Sequence, residues 1–230
     1  MSKVVINPVC ADVTIGGVPF NALNLNLAKA VHDYLVQVIP DNQIIMTRSN
    51  STVCPIDSTE TEAIANADDV QLVVSVGVDN ADDTTAAGME VFDSGSENSI
   101  PFANSMFAAT ADLRTKWNLK ARFGGAAVLT TYFMLTKVTK PTILVMAGMM
   151  SNANDFNVLT NYNFQKDFGF AVAQAISTQL GLGTLQQNPV TLPPTPTPVP
   201  STKSYTPWII GGIAGLGLVA VLVLTGKRRK

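Results

Sequence analysis

Two kinds of hydrophobic pattern alternate along the chain. Short β-branched runs read as strands, and longer stretches with apolar residues every three or four positions read as helices. The segment KVVINPV (residues 3–9) predicts a first strand. NALNLNLAKAVHDYLVQVI (21–39) places Leu23, Leu27, Ala30, Val31 and Leu35 on one helical face. NQIIMTR (42–48) predicts a strand, and STETEAIANAD (58–68) a helix opened by Ser/Thr ahead of acidic residues. VQLVVSVGV (70–78) is an apolar run suited to a strand buried on both faces of a parallel sheet. AAGMEVFDS (86–94), AAVLTTYFML (126–135) and PTILVMAG (141–148) predict three more strands. SIPFANSMFAATADLRTKWN (99–118) predicts one long helix. NYNFQKDFGFAVAQAISTQLG (161–181) predicts a closing helix that ends at Gly181. This alternation predicts an α/β fold, a mostly parallel sheet flanked by helices on both faces. Sites in such sheets lie beyond the carboxyl ends of the strands, here after KVVIN, LVVSV and TILVM.

The pattern changes near residue 183. Residues 1–183 read as one domain and 184–207 as a Pro/Thr-rich linker, which favours extended polyproline II. Residues 208–225 are uncharged and long enough to cross a bilayer core, and 226–230 form a basic tail. The predicted single-pass anchor comprises Trp208, Ile209, Ile210, Leu216, Leu218, Val219, Val221, Leu222, Val223 and Leu224. Tyr205 and Trp208 suit an interfacial aromatic belt, and Lys227, Arg228, Arg229 and Lys230 suit an anionic headgroup region. Gly211 and Gly215 have the spacing that favours helix pairing in membranes, a hint of a homo-oligomer. The start of the chain has no basic region followed by an apolar core, so no secretory signal is expected.

Composition narrows the chemistry. A formal net charge of −2 excludes nucleic-acid binding by bulk electrostatics. His32 is the only histidine, which limits zinc chemistry, and its place within a helix predicts a solvent-facing flank. Cys10 and Cys54 lack CxxC spacing and read better as two half-buried thiols than as a bridge. Cys10, Asp12, Cys54 and Asp79 are candidates to gather at the carboxyl edge, but they mix soft and hard ligands without a spacing signature. No GxxxxGK[ST] loop is present.

The pieces VVINP, NLNLAKAV, MTR, IAN, VVSVGVDN, GMEVF, VL and PTILVMAGMMSN occur in an order that resembles the zinc-dependent N-acetylmuramoyl-L-alanine amidases of peptidoglycan. The resemblance spans nearly the whole globular part. It implies zinc held by two histidines and a glutamate, with a second glutamate as general base. The positions that match these four roles are Cys10, Ala22, Gly77 and Met146. Ala22 and Gly77 carry no donor, Cys10 alone cannot hold the ion, and Met146 cannot take a proton from water. On this reading the chain has no catalytic residues, metal or cofactor and is not an enzyme.

Three functions follow as expectations. The first is a membrane-anchored structural or protein-binding role on an amidase-like scaffold, for instance in a virion membrane beside capsid proteins. The second is a peptidoglycan-binding module of the cell envelope, with envelope proteins as partners. The third is an amidase with a relocated site. In all three the lipid bilayer is a partner.

Overall fold

The computed structural model describes residues 3–49 and 58–187. The elements in chain order are β1 (Lys3–Pro8), β2 (Thr14–Ile15), β3 (Val18–Pro19), α1 (Phe20–Leu35), a 3-10 turn (Asp41–Gln43), β4 (Ile44–Met46), α2 (Ser58–Ala65), β5 (Val70–Asp79), β6 (Glu90–Asp93), α3 (Ser99–Ala109), α4 (Ala111–Lys116), β7 (Ala127–Val128), α5 (Phe133–Lys137), β8 (Thr142–Met149), α6 (Ala153–Leu159) and α7 (Tyr162–Gln179). Six strands form one sheet in the order β4-β1-β5-β8-β6-β7, and β2 and β3 pair as a small hairpin. β4, β1, β5 and β8 run parallel, and β6 is antiparallel to β8. The α/β expectation therefore holds, with the last two strands of the order, β6 and β7, reversed together.

Side-chain alternation divides the sheet into two faces. Val4, Ile6, Leu72, Val74, Val76, Val78, Ile143, Val145 and Ala147 join the core built with α1, α3 and α7. The other face carries Val5 and Val73 against Met134 and Ala65, and Leu144, Met146 and Phe92 against Val9 and Leu135. α1 and α7 cross closely because residue 169 is glycine. A Cβ there would lie 2.4 Å from Ala30 Cβ. α7 ends in a Schellman turn: Gly181 takes φ +68°, its N–H donates to Thr178 O, and Leu182 N donates to Ser177 O.

Three sequence expectations change. The long helix over 99–118 is two helices broken at Thr110, whose buried hydroxyl donates back to Met106 O and Phe107 O. That hydroxyl also accepts from Arg114 Nη1, so the side chain competes with the helical ladder. The run AAVLTTYFML holds a two-residue strand followed by α5, because Tyr132 turns inward to meet polar groups under the sheet. The ordered domain extends past Gly183, since Leu185 is buried in the main core. Among the described residues no helix is long and apolar enough to cross a membrane. The expected anchor, residues 208–225, and the basic tail lie outside the described residues, as does Cys54.

Candidate functional site

The carboxyl edge of the sheet is organised by polar side chains that hold the turn after β1. Asn24, buried in the first half of α1, donates from Nδ2 to Val9 O at 2.9 Å and accepts at Oδ1 from Val78 N at 2.9 Å. It thus ties the end of β1 to the end of β5. Asn21 Oδ1 accepts from Ala11 N. Arg48, directly after β4, donates to the carbonyls of Pro8, Val9 and Asn21 at 3.0–3.2 Å. Burial lowers its pKa to about 10. Asn7 lies beneath, accepting from Thr47 and donating to Ser75 Oγ and Tyr132 Oη. Burial raises the Tyr132 phenol to about 12.

The four positions singled out in the sequence sit on this edge. Gly77 pairs with Met146 across β5 and β8, so both face the second side of the sheet. The space beside Gly77 is filled by Val9, whose Cβ would lie 2.8 Å and Cγ2 2.9 Å from a Cβ at residue 77. Met146 is buried in the apolar cluster with Val9, Phe92, Leu135 and Leu144. Ala22, half-buried, opens α1. Cys10 is disulfide-bonded, which corrects the expectation of a half-buried free thiol. Of the candidates Cys10, Asp12, Cys54 and Asp79, Cys54 lies outside the described residues and Asp12 is exposed, and among the described residues no group of three or more His, Cys, Asp or Glu is placed to hold a metal ion. His32 lies on the flank of α1 as expected, with Nδ1 3.1 Å from Asp33 and Nε2 2.9 Å from Asp41. The hydrogen bond to Asp33 raises its pKa, Asp41 adds to this, and burial opposes both.

A second group on the same edge was not singled out from the sequence. Glu90 opens β6 opposite Met146, so the row Gly77, Met146, Glu90 crosses three strands on one face. Its side chain is almost wholly buried. Oε1 accepts from Arg122 Nη1 at 2.7 Å, while Oε2 has no hydrogen-bond donor. Arg122 also lies 3.8 Å from Asp79 at the end of β5 and 3.6 Å from Met149 Sδ. Burial, with the nearby Asp79 carboxylate adding to it, pushes the Glu90 pKa up to about 8 against the pull of Arg122. Glu90 is thus a carboxylic acid poised near neutral pH behind two partly exposed charges, chemistry suited to proton transfer. The only sequence signal for it is a glutamate in an otherwise apolar strand, GMEVF.

Several solved structures similar to this fold are described as N-acetylmuramoyl-L-alanine amidases. The catalytic domain of CwlV, an N-acetylmuramoyl-L-alanine amidase from Bacillus (Paenibacillus) polymyxa var. colistinus, superposes with a TM-score of 0.69 at 23% identity, covering 80% of this chain and all of that one. An N-acetylmuramoyl-L-alanine amidase from Clostridium difficile 630 gives 0.66 at 20% identity, covering 78% and 97%. AmiC2 of Nostoc punctiforme gives 0.66 at 21%, with the same two coverages. At these identities the likeness is one of fold. No curated protein sequence matches the chain. The family model described as N-acetylmuramoyl-L-alanine amidase matches residues 14–178. That match overturns the expectation that the chain is not an enzyme, because the family is one of amide hydrolases. The order of elements, the carboxyl-edge site and the family match over most of the globular part agree, and the chain belongs to the N-acetylmuramoyl-L-alanine amidase family.

Proposed function

We propose that the domain is a peptidoglycan-directed member of this family, held at a membrane by residues 208–225, and that it receives the wall's glycan–peptide at the carboxyl edge of the sheet. The observation that carries the reading is the family match over residues 14–178. The zinc that the resemblance implies does not fit the residues found here. Ala22 and Gly77 have no donor atoms, the Cys10 sulfur is committed to a disulfide, and Val9 occupies the space a side chain at 77 would need. No step is therefore routed through a metal. The chain's own polar groups at the edge offer the Arg122 guanidinium as donor, the Asp79 carboxylate as acceptor, and the Glu90 carboxyl, whose raised pKa favours its protonated form. A substrate rich in amides and hydroxyls needs such partners when it is desolvated.

Membrane attachment rests on the uncharged run 208–225 flanked by Trp208 and the basic tail. A cell envelope and a virion membrane both meet that chemistry. The test is to add the protein to purified sacculi, with and without a chelator. Saturable co-sedimentation is expected. Stem peptide released with chelator present, and lost in Glu90→Gln, would assign the chemistry to the carboxylate pair. Absence of both binding and release would refute the peptidoglycan reading and favour a protein-contact role in a virion or envelope.

A further inference from the structure

A cleft of about 460 Å³ opens between α1, α4 and α7 and shares no lining residue with the carboxyl-edge site. Its volume falls within the range of small-molecule sites, of order 300–1,000 Å³. One wall is the indole of Trp117, which caps the C-terminus of α4. The ring is fixed from two directions. It stands nearly perpendicular to buried Phe164, with centroids 5.6 Å apart and an interplanar angle of 83°. Its Nε1 donates to Asp167 Oδ2 at 2.8 Å. Trp117 is only half-buried, so part of this fixed ring stays open.

Asp167 braces the cleft and has little capacity left for a ligand. Besides the indole, its Oδ2 meets Lys116 Nζ at 2.7 Å, and its Oδ1 accepts from Gln187 Nε2 at 3.0 Å. The groups that remain are mostly donors. Lys116 is exposed and has further N–H groups to give. Lys166 has no ion pair among the described residues, and its ammonium lies 5.4 Å from the Tyr162 ring centroid. Asn163 adds an exposed amide. Lys116 and Lys166 against Asp167 leave the lining one unit positive. A ligand that satisfies these groups brings acceptors, a negative charge and an apolar face for the indole. A pyranose bearing a free carboxylate has all three: a flat C–H face, a rim of hydroxyls and an anion.

We propose that this cleft is a second binding site, for an acidic sugar of the N-acetylmuramic acid type. Its pyranose face lies on Trp117, its carboxylate meets Lys116 and Lys166, and its hydroxyls meet Asn163 and Gln187. The cleft lies beyond the edge site, but the choice of muramic acid among acidic sugars rests on the peptidoglycan reading. Hydrolysis of a muramoyl–alanine amide leaves this carboxylate free, so the site favours glycan whose peptide has been removed.

The test titrates the full-length protein carrying Trp208→Phe, which leaves Trp117 as the only indole. The indole N–H resonance is followed with N-acetylmuramic acid and with N-acetylglucosamine, which lacks the carboxylate. A saturable shift with a midpoint of order 1 mM is expected for the acidic sugar. Binding of the neutral sugar should be about tenfold weaker, since it forgoes the charge-assisted bonds. Lys166→Gln touches neither Trp117 nor Asp167, and should weaken the acidic sugar about threefold while leaving the neutral one unchanged. No saturable shift with N-acetylmuramic acid overturns the proposal. Equal affinity for the two sugars, or an equal effect of Lys166→Gln on both, also overturns it, because the carboxylate is then not recognised. The sacculus assay reads the edge and this titration reads the cleft, so either reading can fail without the other.

Discussion

Replacing Glu90 by glutamine should flatten the pH dependence of stability. In the folded protein the Glu90 pKa is raised from 4.5 to about 8 by burial and by Asp79. The folded state therefore binds the proton more tightly than the unfolded chain does. The resulting stability is fully present below pH 4.5 and is lost as pH rises towards about 8, after which it levels off. A shift of about 3.5 units at 1.36 kcal/mol each gives a loss of order 5 kcal/mol across that window. Glutamine keeps the shape, still accepts from Arg122, and offers an N–H towards Asp79, so nothing ionises at position 90. Denaturant unfolding of parent and variant is compared near pH 5, near pH 7 and near pH 9, with the slope m checked for constancy. Parent and variant should be closest near pH 5, and the variant should gain several kcal/mol relative to the parent near pH 9. His32, whose pKa is also raised, loses its contribution in the same direction as pH rises, but it is common to both proteins and cancels in the difference. A constant difference between parent and variant over this range would refute the burial argument.

Further outcomes are expected elsewhere. Gly77→His should destabilise the domain by about 2 kcal/mol or more by overpacking against Val9, and Val9→Ala in the same protein should recover part of the loss in a thermal melt. Asn24→Ala leaves the buried Val78 N–H without its acceptor and the Val9 carbonyl with Arg48 as its remaining side-chain donor, and should cost about 1–3 kcal/mol by denaturant titration. Reducing the disulfide at Cys10 should lower stability by about 2–4 kcal/mol, measured with and without reductant at fixed pH. A chain ending at Gly183 should unfold at a lower temperature than one ending at Gln187, because it lacks buried Leu185 and the bonds to Gln37 and Gln174.

Periodicity alone fixed the elements whose burial repeats along the chain. β5 is an uninterrupted apolar run, and α1 and α7 carry full helical stripes, so local pattern and final burial coincide. The carboxyl ends of β1 and β5 were also legible as neighbours on one edge, because a parallel sheet gathers such ends together. Where a short apolar run fits strand and helix equally well, as in AAVLTTYFML, the outcome waited on Tyr132 reaching Asn7, 125 residues away. The same holds for the site's chemistry. Val9 filling the space at Gly77, and Glu90 meeting Asp79 and Arg122, are contacts between segments far apart in the chain. A pKa of about 8 or an occupied pocket depends on desolvation and on which atoms arrive in the same volume. Those are properties of the packed chain, and no window of residues encodes them by itself.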